Sequence, residues 1–103
     1  APTDRPHPFV YFVTITNNSD EAVTIRGRKW VLTQASGEVT IVEGDGVVGQ
    51  FPKLDVGADF SYNSYHVIGS DCTADGAFFG ATEAGRAVFA KIPRFELSVP
   101  KWV

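Results

Sequence analysis

The chain has 103 residues, the length of a single domain. Its formal net charge is −3, which gives no basic surface for nucleic acid, and no apolar run reaches the roughly 20 residues of a membrane helix. One cysteine, Cys72, cannot form an internal disulfide, and no signal-peptide core is visible, so the sequence predicts a cytoplasmic protein.

The first elements are an extended segment and a strand. Residues 1–8 are rich in proline and carry no core pattern, so they are predicted to lead into a single domain over residues 9–103. Apolar Tyr11, Val13 and Ile15 alternate with residues that include Thr14 and Thr16, which indicates a strand with one buried face. The polar run Asn17-Asn18-Ser19-Asp20 is typical of a turn.

The apolar positions of the next segment change parity. Val23 and Ile25 occupy odd positions, whereas Trp30 and Leu32 occupy even ones. A β-bulge at Gly27 would produce this change, because one extra residue moves the following side chains to the other face. The sequence therefore predicts that Ile25 and Trp30 both face the core.

The rest of the chain consists of short strands between turns. Turn signals recur about every 8 to 12 residues and no helical periodicity is sustained, which is typical of an all-β antiparallel sandwich. Cys72 is predicted to lie in a loop before the last hairpin. The further strands are predicted over residues 39–41, 60–62, 76–82, 88–92 and 94–99.

The stretch EGDGVVGQFP, residues 43–52, has the spacing G-x-G-x-x-G at Gly44, Gly46 and Gly49. A dinucleotide site with this spacing needs a helix directly after the glycines. The turn residues Asp55-Val56-Gly57 follow too soon for a helix, so the glycines are interpreted as bends or positive-φ positions. In an alternative interpretation, the backbone N–H groups of the loop bind a small anion or phosphate.

Several segments in fixed order carry a family pattern, and Gly-x-Gly-Val-Val-Gly-x-x-Pro from Gly44 to Pro52 is the most specific. From about Phe9 to Pro100 the chain resembles the ApaG domain. The other matching segments are Gly27-Arg28-Lys29-Trp30, Phe60-Ser61-Tyr62-Asn63-Ser64, Ile92-Pro93-Arg94-Phe95 and Val99-Pro100.

The resemblance implies an immunoglobulin or fibronectin type III-like β-sandwich. ApaG proteins are small bacterial proteins, and the same domain in some F-box proteins is a partner-binding module. The family name is linked by genetics to cobalt and magnesium efflux, without an established biochemical activity. Two departures stand out, because Lys29 occupies a position where the family often has His, and Ala74-Asp75-Gly76 replaces a Met-x-Gly pattern.

The sequence offers no set of residues for catalysis or metal binding. His7 and His66 are far apart, and neither has a second ligand at metal spacing. No base can be identified beside Cys72, so it is interpreted as an incidental thiol. We therefore predict no catalytic residue, no metal site and no cofactor.

The candidate contact residues are Arg28, Trp30, Phe51 and Pro52, since aromatic residues and arginine are enriched in protein interfaces. Alternatives remain: Trp30 could belong to the core, Phe51 could cover it, and Arg28 could bind strand-end carbonyls. The sequence predicts a non-enzymatic module that binds an unidentified protein. Its alternatives are a small-anion or phosphate binder using the loop from Gly44 to Gly49, and a protein linked to cobalt and magnesium homeostasis.

Overall fold

The computed structural model describes residues 7–98, apart from the side chain of His7. The described residues form an all-β, antiparallel structure, as predicted, and none of them forms a helix that is long and apolar enough to span a membrane. The strands are β1 (His7–Thr16), β2 (Val23–Gln34), β3 (Val39–Asp45), β4 (Lys53–Leu54), β5 (Asp59–Ile68), β6 (Cys72–Thr82) and β7 (Ala87–Leu97).

The strands form two sheets with the core between them. One sheet pairs β1 with β5, and the other has the order β3–β2–β6–β7, with β4 also paired to β2. Both sheets contribute to the core: Ile15 and Ile68 come from the first, and Trp30, Phe78 and Leu97 from the second. The predicted sandwich is therefore confirmed.

The change of parity in β2 comes from a bulge. The register between β2 and β6 shifts between Ile25 and Gly27, so Arg26 is the additional residue and the bulge lies directly beside the predicted position. Ile25 and Trp30 are both buried although their positions differ in parity. The prediction that both side chains face the core is confirmed.

The first strand begins before the position that the sequence indicated. His7 and Pro8 already pair with Ile68 and Val67 of β5, so the lead-in predicted over residues 1–8 overlaps β1 at its last two residues. Residues 1–6 lie outside the described part of the chain. The alternation rule missed this start because Pro8 occupies a position that the rule expects to be polar.

Two boundaries near the C-terminus need correction. Cys72 was predicted in a loop, but it is the buried first residue of β6. The separate strands predicted over residues 88–92 and 94–99 are one strand, β7, which ends at Leu97 and whose register with β6 shifts between Ala74 and Gly76. Residue 99 of the predicted strand lies outside the described residues. Pro93 lies at this irregularity, where a residue without an N–H group is tolerated on an edge strand.

Asn17 fixes the end of β1 to the neighbouring turns. Its buried side-chain Nδ2 donates to the carbonyl of Leu54 at 2.9 Å and to that of Glu21 at 2.8 Å. Its Oδ1 accepts from the amide of Ser19 at 3.0 Å. Because Leu54 is in β4, Asn17 also holds the segment that follows the glycine loop.

Candidate functional site

The glycine-rich segment forms the connection between β3 and β4, residues 46–52, which we call the β3–β4 loop. β3 and β4 both pair antiparallel to β2, so they run in the same direction and the loop contains a tight turn. Val47 and Gln50 pair in antiparallel fashion, with N–H···O distances of 2.8 and 2.9 Å. The two residues between them, Val48 and Gly49, have φ of 44° and 78°. Positive φ at both central residues is the condition for a type I′ turn.

The loop is attached to β2 at the bulge. The amide of Gly46 donates to the carbonyl of Arg26 at 2.7 Å, and the amide of Ile25 donates to the carbonyl of Pro52 at 2.9 Å. Val47 is fully buried, so its side chain anchors the loop in the core. Hydrogen bonds to β2 at the bulge therefore fix both ends of the β3–β4 loop.

Arg28 holds the loop from the side. Its Nη1 donates to the carbonyls of Asp45 at 3.0 Å and Gly46 at 3.2 Å. The guanidinium lies directly against Gly44, where a β-carbon would overlap it. Gly44 therefore makes room for Arg28, and the interpretation of Arg28 as a partner for strand-end carbonyls is confirmed.

The hydrogen bonds of the loop limit the backbone N–H groups that a nucleotide or an anion could use. The amides of Gly46, Val47 and Gln50 already donate to backbone carbonyls, which leaves the successive N–H groups of Val48 and Gly49 at the tight turn. The chain after the loop enters β4, so the helix N-terminus of a dinucleotide site does not follow. The glycine spacing serves the geometry of a tight turn.

The predicted contact residues fall into two environments. Phe51 is 57% exposed, and Pro52 and Arg28 are half-buried around the same loop. Trp30 is only 1% exposed, so the prediction that it contacts a partner is corrected: it is a core residue on the same face as Leu32. The exposed ring of Phe51 does not cover the core. Its contact with a partner protein stays a prediction.

Trp30 lies in an aromatic cluster between the sheets. Its ring centroid is 4.8 Å from Tyr11 of β1, 4.8 Å from His66 of β5 and 6.0 Å from Phe95 of β7. Burial raises the pKa of Tyr11 and Tyr62 and lowers the pKa of His66. The cluster therefore favours the neutral form of each titratable ring.

We expect the stability of the protein to fall as the pH drops below about 6.5, the unfolded-state pKa of histidine. Burial lowers the pKa of His66 in the folded protein. As the pH falls, His66 is therefore protonated in the unfolded chain before it is protonated in the folded one. The stabilisation is complete above about pH 6.5 and is lost as the pH falls towards the folded pKa, by at most about 1.4 kcal/mol per pH unit. Urea unfolding from pH 7.5 to 5, followed by circular dichroism, measures this.

A His66→Phe variant provides the control for this titration. Its stability should vary less with pH over that interval, since the aromatic contacts remain and the titrating group is gone. An identical pH dependence in the variant and the parent would contradict the assignment to His66.

Sequence reasoning missed two features of the site. It did not identify Val47 as the anchor of the β3–β4 loop, and it did not predict positive φ at Val48. A β-branched residue rarely adopts this conformation, so only the following Gly49 signals the turn. Backbone strain of this type costs about 1 to 3 kcal/mol and tends to occur at functional sites.

The described part of the chain shows no cluster of side chains for a metal ion and no activated cysteine. Within residues 7–98, no three His, Cys, Asp or Glu side chains come together to hold a metal ion. Burial raises the pKa of the Cys72 thiol, which lowers its reactivity at neutral pH. An apolar cavity of about 180 Å³ lies between the sheets near Ile15 and Phe78, and a more polar cleft of about 480 Å³ lies beside Arg28 and Gly44.

Comparison with known proteins gives concordant matches in sequence and structure. The sequence model of the ApaG domain matches residues 1–80. Proteins named Protein ApaG from Vibrio vulnificus (strain YJ016) and Aromatoleum aromaticum are 37% and 36% identical, over 89% and 97% of this chain and 74% and 80% of their own lengths.

Two solved structures share the fold. An X-ray structure of a structural-genomics target has a TM-score of 0.89 at 30% identity, covering 100% of this chain and 79% of its own. The crystal structure of a Bordetella pertussis protein described as ApaA has a TM-score of 0.87 at 31% identity, covering 99% of this chain and 84% of its own. The similarity therefore extends over nearly the whole chain.

Proposed function

This chain belongs to the ApaG domain family, and from this premise we propose that it is a non-enzymatic protein-binding module whose contact surface is the β3–β4 loop. The observation that carries the proposal is the exposed ring of Phe51 on a loop that the core holds in place. Aromatic side chains of this kind dominate the energy of protein interfaces. The partner is a protein with an apolar pocket for one aromatic ring.

The rigidity of the β3–β4 loop supports a recognition role. Val47 is buried beneath the loop, Arg28 binds two of its carbonyls, and hydrogen bonds join both ends to β2. A surface that is ordered before binding loses less conformational entropy when the partner arrives. The exposed Val48 at positive φ fits the same interpretation, because strain persists where function maintains it.

The environment of the candidate nucleophile supports a non-enzymatic role. Cys72 is buried in β6, and both burial and the charge of Asp71 raise its pKa. Activated cysteines lie in the opposite environment, exposed and beside cationic groups. We also propose a cytoplasmic location and an immunoglobulin or fibronectin type III-like sandwich, consistent with one unpaired cysteine and with two antiparallel sheets.

The Phe51→Ala variant tests the proposed surface. We expect a loss of roughly 2 kcal/mol of binding free energy, about 30-fold in Kd, because an interface anchor is removed. The unfolding free energy should change by less than about 1 kcal/mol, since an exposed ring contributes little to folding. Affinity capture from the native lysate identifies the partner, and calorimetry with that partner measures the affinity.

Phe89→Ala is the matched control, because Phe89 is 75% exposed and lies on β7, away from the loop. It should retain the affinity of the parent. Equal affinity of Phe51→Ala and the parent for the captured protein would contradict the proposed contact surface. A loss of about 3 to 5 kcal/mol of stability in Phe51→Ala would place this residue in the core instead.

A further inference from the structure

The outer face of the β1–β5 sheet carries a contiguous set of large apolar side chains. Val10, Phe12, Tyr65 and Val67, which we call the outer patch, are each more than half exposed, and Phe12 reaches 79%. Val10 lies directly opposite Tyr65, and Phe12 is opposite Asn63, the next pair on the same face of the sheet. Residues two apart on a strand share a face, so the four side chains adjoin.

The neighbouring positions on the outer face of this sheet are polar but uncharged, and Glu96 of β7 lies at the edge of the patch, where it lines a cavity with Val10 and Phe12. The next pair along the same face is Thr14 and Ser61, whose hydroxyl groups are 2.9 Å apart. The only charged residue at an outward position of this sheet is Asp59, opposite Thr16 at the far end. Among the described outward positions of β1 and β5, the apolar end of the face therefore has no charge that would orient a charged partner.

The exposed area of the outer patch is large for one monomer. Its four side chains leave roughly 400 Å² of apolar surface exposed, since one aromatic side chain presents about 150 to 250 Å². Contiguous patches of this size on soluble proteins commonly mark interaction sites. A stable interface uses about 800 Å² per partner, about twice the area of the patch, so the patch with its hydroxyl rim supplies a small interface and a weak dimer.

We propose that the outer patch docks a second copy of this chain in a two-fold symmetric dimer. In such a dimer each surface meets itself, so a charged face would bring like charges together. The outer patch avoids this cost, because its centre is apolar and its rim contains hydroxyl groups. The two β3–β4 loops, which belong to the other sheet, remain exposed for partners.

Sedimentation equilibrium from about 10 µM to 1 mM tests the dimer, because an interface of this size gives a Kd within about that range. Phe12→Asp should weaken dimerisation at least about 30-fold, since it places a carboxylate at the centre of an apolar contact. Tyr65→Glu on the partner strand should have the same effect. Phe89→Asp is the control, because Phe89 is exposed to a similar degree, 75%, on the other sheet.

Salt dependence provides an independent readout. Each copy carries a formal net charge of −3, so repulsion opposes dimerisation and added salt should strengthen it or leave it unchanged. A parent protein that remains monomeric at about 1 mM would overturn the proposal. A dimer that persists in Phe12→Asp and Tyr65→Glu would also overturn it. The same holds if the parent is a monomer that sediments with phosphatidylcholine vesicles and Phe12→Asp abolishes that binding.

Discussion

Replacing Trp30 by alanine is expected to lower the unfolding free energy by about 3 to 5 kcal/mol, the usual cost of deleting a large buried aromatic side chain. The ring contacts Tyr11 and His66 of one sheet and Phe95 of the other. Its removal therefore opens a cavity between the sheets. Because domains of this size are stabilised by about 5 to 15 kcal/mol, the variant would lose a large part of its stability.

Trp30→Phe distinguishes packing from hydrogen bonding at this position. Trp30 Nε1 is buried without a hydrogen-bond partner among the described residues, so phenylalanine removes volume but no hydrogen bond. We expect this variant to lose clearly less stability than Trp30→Ala. Urea unfolding followed by circular dichroism measures both, and a loss below about 1 kcal/mol for Trp30→Ala would contradict its central place in the core.

Replacing Gly46 by alanine is expected to cost roughly 3 kcal/mol or more of stability and to distort the β3–β4 loop. Gly46 has φ of 64°, which costs about 1 to 2 kcal/mol for a residue with a β-carbon. A β-carbon there would also overlap the backbone carbonyl of Gln50, which cannot rotate away as a side chain can. The paired segment from Val47 to Gln50 would have to move.

Gly49→Ala is the matched control for this substitution. Gly49 has φ of 78°, but a β-carbon at this position meets no atom within 4 Å. We therefore expect only the conformational cost of about 1 to 2 kcal/mol. Thermal unfolding compares the stability of the two variants, and amide chemical shifts report whether the loop moves. Equal losses of stability would show that the close approach of Gly46 to the Gln50 carbonyl contributes nothing to the cost.

The fold could be predicted largely from alternation in the sequence. Period two from Tyr11 to Thr16 fixed the buried face of β1, and the parity change between Ile25 and Trp30 indicated the bulge. These signals are local, because a strand with one buried face must alternate. Short β4 escaped prediction, since two residues are too few to show a period and its pairing with β2 depends on distant parts of the chain.

The exposure of the site residues could not be predicted with the same success. Trp30 and Phe51 are both aromatic residues that lie a few positions after a glycine in the sequence, yet only Phe51 faces solvent. The difference depends on contacts of Trp30 with Tyr11 and His66 across the sandwich. Val48 shows the same limitation, because its own chemistry disfavours the positive φ that the tight turn imposes.

The pairing of β2 with both β3 and β4 has a consequence for evolution and engineering. Asp45 pairs with Gly27 just before the loop, and Lys53 pairs with Thr24 just after it. The sheet thus specifies the register on each side independently, and lengthening the connection costs only about 0.6 kcal/mol per doubling. Insertions between Val48 and Gly49 could therefore diversify the recognised partners, or display a grafted peptide, without shifting a strand.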